Sequence, residues 1–255
     1  MARFQVKMIS RKLIRSVELT VIIPSTTIPE SLGLTGVKAT HVITEPYPVL
    51  YLLHGMGNSA SEWTSYSNVE LYAEERKIAV VMPAGENKWY RSEDKSDDFF
   101  GFISEELPEF IENMFPVSAK ATDRYIAGLS MGGYGALIHG LTFPERFAAI
   151  GAFSAAVRVD GEKDPYIGTS YDPYALVDAC EEKQVPPIFF ACGEKDMLWK
   201  NNIAFRDYMN AHHLPVTFVS KPGYAHEWRF WNLMVEEFLD WIPRSDEYQN
   251  CKRSV

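Results

Sequence analysis

The stretch IAGLSMGGYGAL, residues 126–137, contains the pentapeptide Gly-Leu-Ser-Met-Gly, in which Ser130 stands between two glycines. This G-x-S-x-G pattern is typical of a serine nucleophile on a sharp turn between a strand and a helix. With Gly and Ser each at roughly 7% of residues, the pattern also arises by chance in about one chain in ten of this length. Its meaning therefore depends on the residues around it.

The local context of Ser130 fits such a turn. An apolar run, YIAGLS at 125–130, precedes it, and a segment rich in small residues follows. Gly128 and Gly132 suit the turn because a Cβ at either position would collide with neighbouring chain. Free N–H groups and the positive dipole end of the following helix would lie beside Ser130, where they favour an anionic intermediate.

Six continuous apolar runs predict strands that are covered on both faces, which is typical of a parallel sheet. They are VLYLL (49–53), IAVVMP (78–83), YIAGLS (125–130), AAIGAFS (148–154), IFFACG (188–193) and VTFVS (216–220). Two alternating runs near the N-terminus, FQVKMIS and RSVELTVIIP, predict two further strands.

Five segments between and after these strands have helical patterns. They are EWTSYSNVELYAEERK, ISEELPEFIENMF, GGYGALIHGLTF, NNIAFRDYMNAHH and WRFWNLMVEEFLDWI. Pro108, in the second of them, predicts a first helical turn or a kink. The alternation of strands and helices predicts an α/β fold with a mostly parallel central sheet and helices on both faces.

The chain shows no convincing domain boundary, and its 255 residues lie within the range of single α/β domains. We therefore expect one domain over residues 1–255. The segment 155–187 is long for one connection and contains several Gly, Pro and Asp residues. It is a candidate for a short cap near an active site.

The composition describes a globular protein with 46% hydrophobic residues and a net charge of −9. The acidic balance disfavours nucleic acids and anionic membrane surfaces as partners. Three cysteines without a C-x-x-C pair indicate neither a disulfide framework nor a zinc site. The first 24 residues lack the apolar segment of a signal peptide, and no run reaches transmembrane length, so we expect a cytoplasmic protein.

A serine hydroxyl needs a general base, and His226 is the best placed of the six histidines. It follows the last predicted strand on a loop that contains Gly223, at the carboxyl edge of the sheet, where Ser130 also lies. Asp196 follows the preceding strand at the same edge and could orient the imidazole. The order Ser, Asp, His along the chain is that of the α/β-hydrolases.

Other residues compete for these roles. The competing acids are Glu194, Asp172 and Asp178. Among the histidines, His139 lies inside the helix after Ser130, and the adjacent pair His212 and His213 lies between a helix and a strand. Packing or surface positions explain these histidines better than catalysis does.

The pair His54-Gly55 follows the first buried strand directly, in VLYLLHGMGNSASEW. In this architecture the early loop donates one N–H to the oxyanion, and the residue after the nucleophile donates another. We therefore expect the backbone N–H groups of Met56 and Met131 to form the oxyanion hole. His54 is better explained as a residue that shapes this loop than as a second base.

Six blocks of the sequence together resemble the esterase D group of α/β-hydrolases. They are LLHGMGNSASEW, FISEELPEFIENMFP, RYIAGLSMGGYGAL, YDPYALVDA, CGEKDML and YAHEWRFWN, and the resemblance extends over about residues 15–241. It is greatest to bacterial tributyrin esterases and to the related feruloyl and acetyl xylan esterases. The resemblance implies an α/β-hydrolase fold and a serine carboxylesterase. By this likeness Ser130, Asp196 and His226 form the triad, and Met56 and Met131 give the oxyanion hole.

S-formylglutathione hydrolases are similar too, but they usually carry a threonine-cysteine pair soon after His-Gly. This sequence has Gly57 and Asn58 there, which argues against that activity. The chemistry needs no metal and no organic cofactor. The sequence shows no H-E-x-x-H, no phosphate-binding loop and no dinucleotide fingerprint.

We expect small-molecule esters with short acyl chains as substrates, because the candidate cap at 155–187 is too small to build a deep acyl tunnel. Among the aromatic residues near the predicted loops, Trp89 and Trp199 are candidates to line an acyl or aryl pocket. The alternatives are a feruloyl or acetyl xylan esterase that acts on plant cell-wall esters, an acyltransferase with the same triad, and a non-catalytic binding protein of this fold. A homo-oligomer also remains open.

Overall fold

The computed structural model describes residues 1–158, 163–180 and 184–251, and an eight-stranded sheet forms its centre. The strands are β1 (Ala2–Ser10), β2 (Arg15–Ile23), β3 (Val49–Leu53), β4 (Ala79–Pro83), β5 (Arg124–Leu129), β6 (Ala149–Phe153), β7 (Ile188–Gly193) and β8 (Val216–Lys221). Their order across the sheet is β1-β2-β4-β3-β5-β6-β7-β8. β2 pairs antiparallel with β1 and with β4, and all other neighbours are parallel.

The structure contains nine α-helices in the described ranges, most of which pack on one of the two faces of this sheet. They are α1 (Ile28–Ser31), α2 (Glu62–Tyr66), α3 (Val69–Glu75), α4 (Phe99–Gly101), α5 (Leu107–Met114), α6 (Met131–Thr142), α7 (Pro173–Asp178), α8 (Trp199–Ala211) and α9 (Trp228–Trp241). A π-helical turn, Phe102–Glu106, joins α4 to α5, and 3₁₀ turns cover Ala121–Asp123 and Pro144–Arg146. α2, α3 and α9 cover one face, and α5, α6, α7 and α8 cover the other.

The central strands are buried on both faces, as their continuous apolar runs predict. In β3, Val49, Tyr51 and Leu53 belong to the core under α6, whereas Leu50 and Leu52 belong to the core under α9. All five side chains are at most 1% exposed. The prediction of an α/β-hydrolase fold with a mostly parallel sheet is confirmed.

The predicted helix EWTSYSNVELYAEERK is two helices, α2 and α3. The chain is extended at Ser67, and the N–H of Asn68 donates to the side-chain oxygen of Asn232 in α9 at 2.8 Å. The break is therefore stabilised by a contact with a helix that lies far along the sequence. A local helical pattern carries no information about such a contact.

Pro108 lies in the first turn of α5, directly after the π-helical turn. In a regular α-helix an N–H at this position would donate to the carbonyl of Ser104, and proline has no N–H. That carbonyl instead accepts a hydrogen bond from Nη1 of Arg146 at 2.8 Å. The proline is thus accommodated by a change of helical type and by an outside donor.

The candidate cap at 155–187 is described except for residues 159–162 and 181–183, which lie outside the described ranges. Its central part contacts the loop after β4. The guanidinium of Arg91 lies over the ring of Tyr166, 3.6 Å from its centroid, and the N–H of Ser92 donates to the hydroxyl of Tyr171 at 3.2 Å. That this segment acts as a cap, and that residues 1–255 form one domain, stay predictions.

Glu106 is a buried carboxylate that holds the turn between β1 and β2. It accepts hydrogen bonds from the hydroxyl of Ser10 at 2.6 Å and from the N–H groups of Arg11 and Lys12 at 2.7 and 3.1 Å. Burial by itself would raise the pKa of Glu106, but these hydrogen bonds outweigh burial and lower the pKa below its usual value. The ionised carboxylate is therefore the form that stabilises the fold.

We expect Glu106→Gln to lower the free energy of unfolding by about 2 kcal/mol near neutral pH, since hydrogen bonds to a charged partner each contribute about 1.5–3 kcal/mol. Because the folded-state pKa is lowered, this stabilisation is present above the pKa of an unfolded glutamate and is lost as the pH falls through the folded-state pKa. Urea unfolding of both proteins across this pH range measures the difference. The matched control Glu109→Gln, at an exposed partner of Arg11, should change little. A difference between wild type and Glu106→Gln that stays constant as the pH falls would contradict the prediction.

Candidate active site

Ser130 lies on the turn between β5 and α6 in a strained conformation. Its φ is +53° and its ψ is −116°, in a region that residues other than glycine rarely adopt. The N–H of Ser130 donates to the carbonyl of Phe153 at 2.9 Å, and the carbonyl of Ser130 accepts from the N–H of Ala156 at 3.1 Å. Hydrogen bonds from β6 and the segment after it therefore hold the backbone of Ser130 on both sides.

The two glycines of the motif allow the close approach that the turn requires. A Cβ on Gly128 would overlap the backbone of Gly132, and a Cβ on Gly132 would overlap the carbonyl of Leu53 at the end of β3. A Cβ on Gly55 would overlap the side chain of Leu129 at 2.5 Å and would lie 3.4 Å from the Cβ of Ser130. The absence of side chains at these positions brings the loop after β3 against Ser130, as the sequence predicts.

The structure brings Ser130, His226 and Asp196 together. The hydroxyl of Ser130 lies 3.0 Å from Nε2 of His226. Nδ1 of His226 lies 2.9 and 3.1 Å from the two carboxylate oxygens of Asp196. Because a carboxylate only accepts, Nδ1 carries the ring proton, and Nε2 is free to accept the proton of the serine hydroxyl.

Two loops at the carboxyl edge of the sheet position the acid and the histidine against each other. A Cβ on Gly193, at the end of β7, would lie 2.5 Å from the carbonyl of Tyr224 in the loop after β8. The N–H of Lys195 donates to the same carbonyl at 2.8 Å. This contact fixes the distance between the loop that carries Asp196 and the loop that carries His226.

The side chain of Asp196 is fully buried but well hydrogen-bonded. Burial by itself would raise its pKa, but hydrogen bonds from His226, from the N–H of Leu198 at 2.8 Å and from the hydroxyl of Ser154 outweigh burial, and the pKa is lowered. Asp196 is therefore ionised at neutral pH. An ionised carboxylate at this distance holds the ring proton of His226 on Nδ1.

Two residues around the triad were not predicted as site residues. Ser154 directly follows β6 with φ +48°, and its oxygen accepts a hydrogen bond from the indole N–H of Trp231 at 3.2 Å. The ring of Trp231 also meets the ring of His226 edge to face, with centroids 4.9 Å apart. The position of Ser154 at the end of a predicted strand was the one available signal, whereas the helical spacing of Trp231 indicates only a core residue.

The competing acids are engaged elsewhere. Glu194 is exposed and accepts from the hydroxyl of Ser220 at 3.1 Å. Asp172 caps α7 and pairs with Arg158, and Asp178 accepts from the hydroxyl of Tyr208.

The competing histidines also have structural contacts. His139 is fully buried in α6, where its Nε2 bonds the carbonyl of Tyr90 and burial lowers its pKa to about 3. His212 bonds the carbonyl of Tyr208, and His213 lies in the turn after α8 with φ +57°. His54 is buried and bonds backbone groups on both ring nitrogens. These contacts agree with packing and loop-shaping roles.

The backbone N–H groups of Met56 and Met131 are the predicted oxyanion donors, and this role stays a prediction. Because the N–H of Ser130 is occupied, the first free N–H of α6 is that of Met131. In the described ranges, neither Met56 nor Met131 has a hydrogen-bond acceptor for its N–H. Their side chains differ, since Met56 is 56% exposed and Met131 is fully buried, so a shared role belongs to the backbone.

The two tryptophans suggested as pocket residues have different surroundings. Trp89 packs edge to face on Tyr134, one turn after Ser130 in α6, with ring centroids 5.6 Å apart. Trp199 begins α8, and its ring lies 6.1 Å from that of Phe218 in β8, between the helix and the sheet. The contacts of Trp89 are those of a residue near the nucleophile, and those of Trp199 are packing contacts. Substrate binding by either residue stays a prediction.

The described ranges contain neither a metal-binding cluster nor a membrane-spanning helix. No group of three or more His, Cys, Asp or Glu side chains is arranged to hold a metal ion. No helix in those ranges has the length and apolar character needed to cross a membrane.

Comparison with known proteins agrees with the fold and identifies esterases as relatives. An acetyl esterase from Caldicellulosiruptor saccharolyticus is 30% identical over 229 residues, which cover 80% of this chain and 86% of that protein. The substrate-bound structure of FphF, a fluorophosphonate-binding serine hydrolase from Staphylococcus aureus, matches with a TM-score of 0.83 and 29% identity, over 94% of this chain and 97% of that chain. The S-formylglutathione hydrolase FrmB from Staphylococcus aureus matches with a TM-score of 0.80 and 28% identity, over 94% and 98%.

The family model described as "Putative esterase" matches residues 40–243, well over half of the chain. The protein therefore belongs to this esterase family and is a carboxylic ester hydrolase with an α/β-hydrolase fold.

Proposed function

We propose that this protein hydrolyses short-chain acyl esters of small molecules through Ser130, His226 and Asp196. The observation that carries the proposal is the continuous hydrogen-bonded line from the serine hydroxyl through the imidazole to a buried carboxylate, at 3.0 and 2.9 Å. The nucleophile, the base and the orienting acid are thus aligned before substrate binds.

In the first half of the reaction, Ser130 attacks the ester carbonyl while Nε2 of His226 takes the hydroxyl proton. The negative charge on the carbonyl oxygen is stabilised by the N–H groups of Met56 and Met131, together with the positive end of the α6 dipole. His226 then gives its proton to the leaving alcohol, and the acyl group stays on Ser130. Asp196 holds the Nδ1–H tautomer throughout and offsets the charge of the imidazolium.

In the second half, His226 removes a proton from water, which attacks the acyl-enzyme. The same two backbone donors stabilise the second tetrahedral intermediate. Collapse of this intermediate releases the acid and returns the proton to Ser130. The residues in these steps need no redox partner, because both halves are acyl transfers.

Two observations support a small acyl group in the substrate. One relative is named for acetyl esters and another for a formyl thioester, and these are the two smallest acyl groups. Trp89 and Tyr134 pack together one turn beyond Ser130, and we propose that they limit the depth of the acyl pocket. The segment at 155–187 would cover this pocket as a short cap.

S-formylglutathione is a second candidate substrate, favoured by the structural match to FrmB. A thioester would use the same nucleophile, base and oxyanion donors. Gly57 and Asn58 stand where that branch usually has threonine and cysteine, so we expect oxygen esters to be preferred.

We further propose that the chain works as one domain in the cytoplasm, without nucleic acid or membrane partners, and a homo-oligomer stays open. The acidic net charge of −9 supports the expected lack of polyanionic partners. Size-exclusion chromatography with light scattering would give the oligomeric state.

Ser130→Ala tests the nucleophile. We expect the loss of several orders of magnitude in kcat, because the members of a triad act as a unit, and the loss of labelling by a fluorophosphonate probe. The measurements are hydrolysis of p-nitrophenyl acetate and labelling of the purified protein. Ser220→Ala, which removes a hydroxyl that contacts Glu194, is the matched control and should leave both unchanged. Retention of a tenth of the activity by Ser130→Ala would exclude Ser130 as the nucleophile.

Asp196→Asn tests the orienting acid against its nearest competitor. The amide favours the wrong tautomer of His226, so kcat should fall by about 10⁴ while the fold persists. Glu194→Gln should stay within a factor of about three, because Glu194 is exposed and contacts Ser220 rather than His226. Initial rates with p-nitrophenyl acetate compare the two variants, and the reverse ranking would assign the role to Glu194.

The dependence of kcat/KM on acyl length tests the small pocket. Each buried methylene contributes about 0.8 kcal/mol, so a pocket that accepts longer chains should gain about fourfold per carbon. We expect a maximum between acetyl and butyryl esters and much lower values for decanoyl and longer esters. A series of p-nitrophenyl esters from two to sixteen carbons measures this, with S-formylglutathione alongside. A value that still rises at twelve carbons would exclude a short-acyl pocket.

A further inference from the structure

The direction of the Met56 N–H is set by the peptide unit that Met56 shares with Gly55. In a trans peptide the N–H of one residue points opposite to the carbonyl of the residue before it. The peptide bonds in the described ranges contain no cis bond. Whatever holds the carbonyl of Gly55 therefore aims the N–H of Met56.

Two donors hold the carbonyl of Gly55. Nδ1 of His54 lies 2.7 Å from this oxygen, and the N–H of Asn58 donates to it at 3.2 Å. The other nitrogen of His54, Nε2, accepts the N–H of Gly85 at 2.7 Å, which leaves the ring proton on Nδ1. The N–H of Gly85, in the loop after β4, therefore helps to fix the peptide between Gly55 and Met56 through the ring of His54.

The peptide on the other side of Met56 is held by the same loop. The N–H of Gly57 donates to the side-chain oxygen of Asn87 at 2.6 Å. Gly57 has a φ of +80°, and because glycine also adopts other φ values readily, its own backbone preference does not fix the orientation of this peptide. With Asn87 in place, the peptides before and after Met56 are both tied to residues 85–90.

The loop at 85–90 has an unusual backbone. Glu86, Asn87, Trp89 and Tyr90 have φ values of +46°, +58°, +55° and +58°. Asparagine tolerates this conformation, but for the other three it is strained, and such strain persists only where the surrounding contacts determine the backbone.

Those contacts come from Tyr90, whose side chain is fully buried. Its hydroxyl donates to the carbonyl of His54 at 2.9 Å. A Cβ on Gly85 would lie 2.6 Å from the ring of Tyr90, so the loop is folded tightly on itself. The strained loop is thus held in the core by Tyr90, and it contacts the backbone on both sides of Met56.

We propose that Asn87 is a positioning residue of the oxyanion hole. From the strained loop at 85–90, its side chain holds the Met56–Gly57 peptide so that the Met56 N–H stays aimed at the oxyanion. Asn87 touches neither the substrate nor the reacting atoms. The inference rests on the proposed function, since it requires a tetrahedral intermediate on Ser130.

The alternative role for Asn87 is a surface contact that adds stability alone. The two roles differ in what they stabilise. A positioning residue favours the transition state and its analogues, whereas a purely structural contact favours the folded protein and leaves each folded molecule equally active.

The test is Asn87→Gly in the full chain. Glycine adopts φ +58° without strain, so this change removes the side-chain acceptor and leaves the backbone conformation allowed. Glu86→Gly is the matched control, because Glu86 is the neighbouring strained residue and its carboxylate pairs with Arg15 rather than with the Met56 loop. Both variants are compared with wild type for kcat/KM on p-nitrophenyl acetate. They are also compared for the Ki of an acetyl-sized trifluoromethyl ketone, whose adduct with Ser130 places an oxyanion in the hole.

Rates are expressed per competent site, counted by titration with a fluorophosphonate, so a partly unfolded population does not enter the comparison. Removal of a whole oxyanion donor lowers kcat by about 10²–10³, and a donor that is loosened rather than removed should lose about tenfold. We expect Asn87→Gly to lower kcat/KM and to raise Ki by about this factor together. Glu86→Gly should stay within about twofold in both.

Three results would overturn the inference. They are values for Asn87→Gly within about twofold of wild type, equal losses in both variants, and a lower melting temperature with an unchanged Ki. A wild-type protein that neither hydrolyses esters nor reacts with the fluorophosphonate would instead overturn the proposed function. If wild type is active and labelled, and Asn87→Gly has the kcat/KM and Ki of wild type, the proposed function is retained and only the role of Asn87 is excluded.

Discussion

The close approach of the start of α6 to the end of β3 is the constraint on which the site depends. Gly132 lies so near the carbonyl of Leu53 that no side chain fits between them. The same approach brings the loop that begins at His54 against Ser130, so that the proposed nucleophile lies beside the loop that carries the proposed oxyanion donor Met56. Because β3 and β5 are parallel neighbours, their carboxyl ends lie at one edge of the sheet. The lack of a side chain at the glycines lets the loops that follow these two strands come into contact.

Much of this arrangement could be predicted from the sequence. Continuous apolar runs predict the central strands, since a strand covered on both faces has no polar face. The candidate site residues can then be predicted from the strands, because the residues that come directly after parallel strands lie at the same edge of the sheet. Ser130, Asp196 and His226 each follow a different strand, and this placement identifies them more securely than the motif alone. Gly128 and Gly132 were predictable for the same reason, since a strand-turn-helix at Ser130 leaves no space for a Cβ.

Other features could not be read from local patterns. The break between α2 and α3 depends on Asn232 in a distant helix, and the carbonyl freed by Pro108 is satisfied by Arg146. Ser154 and Asn87 have backbone conformations with positive φ, which a reading of strands and helices from the sequence does not reveal. Each of these features exists because a tertiary contact overrides a local preference, so it becomes visible only when the strands and helices are packed.

The strained residues are concentrated at the functional edge of the sheet. In the described ranges, most non-glycine residues with positive φ follow β4, β5 or β6, and they include Ser130, Ser154 and residues of the loop at 85–90. Strain of this kind persists only where the surroundings leave no alternative, and here two buried cores fix the strand ends from both faces. The rigidity of the cores is therefore what keeps these loops in conformations that they would not adopt alone. A substitution deep in either core that lets a strand end move should therefore change the conformation of these loops while the protein as a whole stays folded. The free energy needed to open a strained loop locally is smaller than the free energy of global unfolding.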